Sequence, residues 1–136
     1  MTYTNFTYSD IAVEGKPSSG GATGKTIPGG RADLWDAVVT VTATITNSGS
    51  VKGAEVAQLY VGYPASANAP PKQLRGFEKK PLDAGAKGTV SFKVLRRDIS
   101  VWDASKQNWV IPAGEFTFYV GASSRDVRLT AKLTVA

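Results

Sequence analysis

Asp36-Ala37-Val38-Val39-Thr40-Val41-Thr42-Ala43-Thr44-Ile45-Thr46-Asn47 alternates almost without a break. Ala37, Val39, Val41, Ala43 and Ile45 fall on one face, and Thr40, Thr42, Thr44 and Thr46 on the other. Period two with β-branched residues on both faces specifies a half-buried antiparallel strand. Asn47-Ser48-Gly49-Ser50 then supplies a turn, Gly49 accepting a positive φ at little steric cost.

Downstream, Glu55 to Tyr63 reads as a second strand with Ala57, Leu59, Val61 and Tyr63 on one face. Val56 and Tyr60 make its other face partly apolar, which predicts a cover on both sides, either a neighbouring loop or a larger partner. After the proline-broken stretch 64–71, Gln73 to Lys80 is a short strand whose Lys79 and Lys80, with Lys72 before it, suit a sheet edge. Val90, Phe92 and Val94 alternate in the next strand, and Asp98 is expected to cap a helical turn running to Trp102. A brief strand at 109–111 precedes a hairpin whose inward faces are Phe116, Phe118 and Val120, then Val127, Leu129, Ala131, Leu133 and Val135. Upstream, Phe6 to Val13 is a first strand leading into a Gly/Ser-rich segment, 14–30, expected to be a flexible loop. About seven or eight short strands punctuated by turns predict an all-β, immunoglobulin-like antiparallel β-sandwich. A single domain accounts for all 136 residues.

Composition narrows the chemistry. The chain has no cysteine and no histidine, so Ser-His-Asp and Cys-His catalysis, disulfides and a conventional zinc site are not expected. No cofactor or metal is called for. Apolar runs are too short to span a membrane, and the N-terminus lacks the basic and apolar regions of a signal peptide. The eleven Asp and Glu side chains are scattered singly, mostly beside turns, which reads as capping rather than paired-carboxylate catalysis. Glycines at 15–30 lack the spacing of a phosphate-binding loop.

A net charge of +5 concentrates attention on Lys72, Arg75, Lys79 and Lys80, with Arg96 and Arg97 beyond. Phe77 and Trp102 are near in sequence, but nothing matches a nucleic-acid module. The plainer reading is a solvated face with ion pairs to Glu78, Asp83 and Asp98. Trp109 is expected in the core, and Trp102 either in the core or at an interface. Trp35, between Asp33 and Asp36 at the exit of the loop, is expected either exposed or folded over a sheet edge. Asn5-Phe6-Thr7 is an N-glycosylation sequon.

Several segments in combination resemble a known family. These are Gly53-Ala54-Glu55-Val56-Ala57-Gln58-Leu59-Tyr60, Lys72-Gln73-Leu74-Arg75-Gly76-Phe77, Leu95-Arg96-Arg97-Asp98-Ile99-Ser100-Val101-Trp102-Asp103 and Val120-Gly121-Ala122-Ser123-Ser124-Arg125-Asp126. They are similar to the C-terminal fibronectin type III-like domain of glycoside hydrolase family 3, especially the secreted fungal β-glucosidases. The resemblance implies a non-catalytic accessory domain of an extracellular enzyme, partnered by that enzyme's catalytic domains. It also implies association with plant-cell-wall polymers such as lignin or cellulose, for which Trp35, Tyr63, Lys72, Arg75, Phe77, Arg96, Arg97 and Trp102 are the candidate contacts. A stand-alone binding module and an engineered β-sandwich scaffold are the alternatives.

Overall fold

The computed structural model describes residues 5–15, 17, 20–23, 26–27, 30–64, 72–123 and 125–135. In chain order the strands are β1 (Phe6–Glu14), β2 (Gly20–Gly21), β3 (Thr26–Ile27), β4 (Gly30–Arg31), β5 (Ala37–Asn47) and β6 (Gly53–Gly62). They continue with β7 (Gln73–Leu82), β8 (Lys87–Leu95), β9 (Val101–Asp103), β10 (Asn108–Ile111), β11 (Gly114–Ser123) and β12 (Asp126–Val135). Two 3-10 turns, Ala32–Trp35 and Arg96–Ile99, complete the set.

Seven of these strands build the expected sandwich, in sheets ordered β1-β5-β8 and β12-β11-β6-β7, with every pairing antiparallel. The core lies between them because period-two strands each turn one apolar row inward. Val39, Val41, Ala43 and Ile45 of β5 and Val90, Phe92 and Val94 of β8 meet Ala57, Leu59 and Val61 of β6 and Phe116, Phe118 and Val120 of β11. All are buried. β7 is an edge strand, as the lysines predict. At the other edge, Arg128 of β12 donates to the Phe6 carbonyl of β1 at 2.9 Å and binds Asp126 through two nitrogens. That clasp spans the two sheets.

Four expectations change. Within 14–30, Gly20 and Gly21 pair with Ile111 and Val110, and the Ala22 amide donates to the Trp109 carbonyl at 2.8 Å. Described parts of this segment are therefore stitched to β10; residues 16, 18–19, 24–25 and 28–29 lie outside the description. Trp109 is only half-buried, because β9 and β10 form a small sheet with β2 outside the sandwich. Asp98 does not stand at the start of the turn. It sits inside Arg96–Ile99 and reaches back, its Oδ2 accepting from the Leu95 amide at 2.9 Å. The turn ends at Ile99, and Trp102 belongs to β9.

Asn47 is fully buried at the end of β5. Its Nδ2 donates to the carbonyls of Val51 (2.9 Å) and Leu82 (3.0 Å), and its Oδ1 accepts from the Gly49 amide (3.0 Å). Its backbone bonds Ala86 and Gly85. Replacing Asn47 by Ala strands two carbonyls and an amide, each costing about 1–3 kcal/mol if buried unmet. Asn47→Ala is expected to lower the thermal midpoint by on the order of 10 °C, measured by calorimetry.

Candidate interaction surface

A bulge between β6 and β7 decides where the candidate residues point. Leu59 faces Gly76, but Tyr60 faces Leu74, so Arg75 is the extra residue in the β7 strand. Residues directly opposite share a face. Leu74 thus joins Tyr60 on the outer side of the sheet, and Phe77 joins Gln58 there. Leu74 is 50% exposed and Phe77 72%. Val56, opposite Lys79, extends the same strip, and Tyr119 of β11 lies opposite Tyr60. Lys72 has its ammonium 5.9 Å from the Tyr60 ring centre and 5.2 Å from that of Tyr119. Exposed cation–π contacts of this kind contribute about 0.5–1 kcal/mol and hold a cation against an apolar patch.

Arg75, displaced by the bulge, bonds inward. Its Nη2 donates to the Tyr63 hydroxyl at 2.8 Å and to Gln73 Oε1 at 2.6 Å, with Nε 3.3 Å from the same hydroxyl. The Tyr63 hydroxyl in turn donates to the Asp98 carbonyl. Its ring meets Phe116 edge-on at 5.6 Å. Burial pushes the Tyr63 phenol up from its usual value, against the pull of Arg75, so it remains a neutral donor.

Beside Arg75, a cavity of about 140 Å³ is lined by Leu34, Arg75, Arg97 and Trp109. The Arg97 guanidinium lies 5.6 Å from the Trp35 ring centre. Trp109 meets Trp102 edge-on at 5.8 Å, and Trp102 is 52% exposed. Trp35 is 40% exposed. Arg96 is committed elsewhere: half-buried, it pairs with Asp33 at 3.5 Å, and Asp33 also accepts from the Thr23 amide and hydroxyl.

The candidates therefore divide between two places. Trp35, Tyr63, Arg75, Arg97 and Trp102 gather with Trp109 around one end of the sandwich, Arg96 being tied beneath them by Asp33. Lys72 and Phe77 lie on the outer face of the four-stranded sheet. Asn5 is exposed just before β1. The expected ion pairs from the basic cluster to Glu78, Asp83 and Asp98 are not what forms. Asp98 is held by the Leu95 amide, Glu78 accepts from Ser91, and Asp83 lies 4.0 Å from Lys52. Among the described residues no three potential metal-binding side chains cluster, and no helix is long and apolar enough to cross a membrane.

Sequence reasoning missed Leu74, Gln73 and Leu34. The glycine inside a strand pattern at Gly76 was the available signal for the bulge, since such glycines often mark one.

The sheet orders and the shared core define a fibronectin type III-like sandwich. Residues 55–124 match the fibronectin type III-like domain family, and the chain belongs to it. The β-glucosidase cel3A of Pyricularia oryzae is 59% identical over 99% of the chain, which covers 19% of that protein. The crystal structure of β-D-glucoside glucohydrolase from Trichoderma reesei is 55% identical and superposes with a TM-score of 0.96 over 100% of the chain and 19% of its own. A glycoside hydrolase family 3 β-glucosidase from Bifidobacterium adolescentis is 32% identical, with a TM-score of 0.77, over 99% of the chain and 18% of its own. The chain spans about a fifth of the length of these relatives.

Proposed function

We propose that this chain is the non-catalytic accessory domain of a secreted β-glucosidase, docked to the rest of that enzyme by the outer face of its four-stranded sheet. The observation that carries this reading is that Val56, Leu74 and Phe77 are all exposed on one face of β6 and β7. Monomeric proteins rarely leave such patches uncovered. The relatives' remaining four-fifths supplies the cover, and Lys72 and Lys79 form its polar margin. Two of the carboxylates are poor candidates for a glycosidase acid. A glycosidase acid needs a raised pKa. Hydrogen bonds from Ser105 hold the Asp103 carboxyl below the usual range, and those from Arg128 do the same to Asp126. In a secreted parent, exposed Asn5 is the glycan acceptor.

The isolated domain is expected to give no release of chromophore from an aryl β-glucoside above a buffer blank; turnover overturns the non-catalytic reading. For docking, Phe77→Asp is expected to leave the melting midpoint of the isolated domain within about 1 °C, because its ring faces water there. In the full-length enzyme the same change is expected to lower the midpoint by several degrees, since burying a Phe contributes roughly 1.5–3 kcal/mol. Equal effects in both settings place the docking face elsewhere.

A second reading, adhesion to lignin or cellulose, is favoured by Trp102. It flanks an open groove of about 520 Å³ with Asp103 and Lys106 on its walls, a combination of stacking surface and polar groups suited to a polymer. Trp35 at the same end offers a further ring edge. Depletion of the domain by insoluble lignin or cellulose is expected to fall severalfold in the Trp35→Ala, Trp102→Ala double variant; unchanged depletion removes this reading.

A further inference from the structure

We infer that the cavity between Arg75 and Arg97 is a carboxylate-binding site. Arg75 and Arg97 both line one space of about 140 Å³, and two cations brought to one space are favoured by an anion between them. No carboxylate among the described residues pairs with either one, although the charge of Asp98 is felt at the Tyr63 hydroxyl that Arg75 bonds. All eleven acidic side chains are among the described residues, and the ion pairs formed are Lys52–Asp83, Arg96–Asp33, Arg128–Asp126 and Lys132–Glu115. The nearest carboxylate in sequence, Asp98, is turned back onto the Leu95 amide. Arg75 uses Nε and Nη2 on Tyr63 and Gln73, leaving its Nη1 hydrogens without an acceptor among the described residues. The Arg97 guanidinium lies over the Trp35 ring and forms no ion pair among those residues.

The site is preorganised. The bulge fixes where Arg75 leaves the strand, two side chains orient its plane, and a ring face supports Arg97. Leu34, buried, and Trp109, half-buried, supply apolar walls that strengthen a charge-assisted bond relative to open water. The fork of Arg97 suits a planar carboxylate better than a spherical or tetrahedral anion, and the Arg75 Nη1 hydrogens add one more charged donor. The carboxylate is supplied either by an acidic side chain of the remaining enzyme, which rests on the docking reading above, or by a free sugar acid.

The test begins on the isolated chain with labelled arginine, by NMR of the side-chain Nε–Hε groups. Sodium acetate, titrated at constant ionic strength against sodium chloride, is expected to shift Arg75 and Arg97 saturably in the millimolar range. Arg96 and Arg128, already paired, are expected to stay. Arg97→Gln is expected to weaken acetate binding by about tenfold, as loss of one charged hydrogen-bonding partner does, while the melting midpoint holds. Arg75→Lys, which keeps the charge and loses the Nη1 donors and the bonds that orient them, is expected to weaken it as well. Equal shifts with chloride, absence of saturation, or full affinity in Arg97→Gln overturns the site. None of these outcomes depends on docking. Repeating the titration on the full-length enzyme then separates the sources. Arginine signals deaf to acetate mean the enzyme's own side chain fills the site, and signals that still respond mean a free carboxylate does; both uphold its chemistry.

Discussion

Asn47 closes β5 with a side chain removed from water, and a buried amide is tolerated only when its donors and acceptor are met. The groups that meet it are what matter. Val51 and Gly49 belong to the connection from β5 to β6, Leu82 ends β7, and Gly85 and Ala86 belong to the connection from β7 to β8. Both connections cross from one sheet to the other. A single polar node therefore holds the two crossings at one end of the sandwich, and sets how the sheets superpose before side chains interdigitate. Hydrophobic burial is non-directional and supplies most of the driving force. The node supplies alignment.

The opposite end has its own tie. Tyr63 follows β6 and Asp98 follows β8, so the bond from the Tyr63 hydroxyl to the Asp98 carbonyl again joins the two sheets. Here the tie is only part-buried, and Arg75 reaches the same hydroxyl from β7. The contrast between the ends is physical. Asn47 is sealed and its partners among the described residues are turn and strand backbone, while Tyr63 leads through Arg75 to a cavity. Alignment and ligand access are thus assigned to different ends of the same fold.

Much of this was legible in the residues. Alternation from Val39 to Asn47 and at Val90, Phe92 and Val94 located the inner faces, because burial on a strand has period two wherever one face is covered. Ala37, assigned to the same face, is exposed beyond a register shift between it and Val39. What alternation does not encode is an interruption. The bulge at Arg75 moved Leu74 to the outer face, and only Gly76 hinted at it. Gly20 and Gly21 carry no side-chain pattern, so their pairing with β10 was invisible. Trp109 looked like core by its apolar neighbours, yet its strand lies in a minor sheet outside the sandwich. The expected solvated ion pairs failed for a related reason. Sequence proximity placed Asp98 beside Arg96 and Arg97, but a backbone amide closer to its own turn claimed the carboxylate.

The same displacement that exposes Leu74 also delivers Arg75 inward, so the apolar strip and the cationic cavity are products of one inserted residue. Their physical roles differ. An apolar strip gains free energy from any well-fitting cover and says little about register. Fixed guanidinium groups accept few geometries, and misplacing a charge against them is costly. Area without direction allows sliding, and direction without area binds weakly. A bulge that creates both, on adjoining sides of one edge strand, lets a partner be held by the first and positioned by the second. It also explains why Arg96 and Arg97 diverge despite adjacency. Arg96 is spent on Asp33 to anchor the 3-10 turn Ala32–Trp35 against Arg96–Ile99, which keeps Trp35 in place under Arg97. One arginine builds the support, and its neighbour uses it.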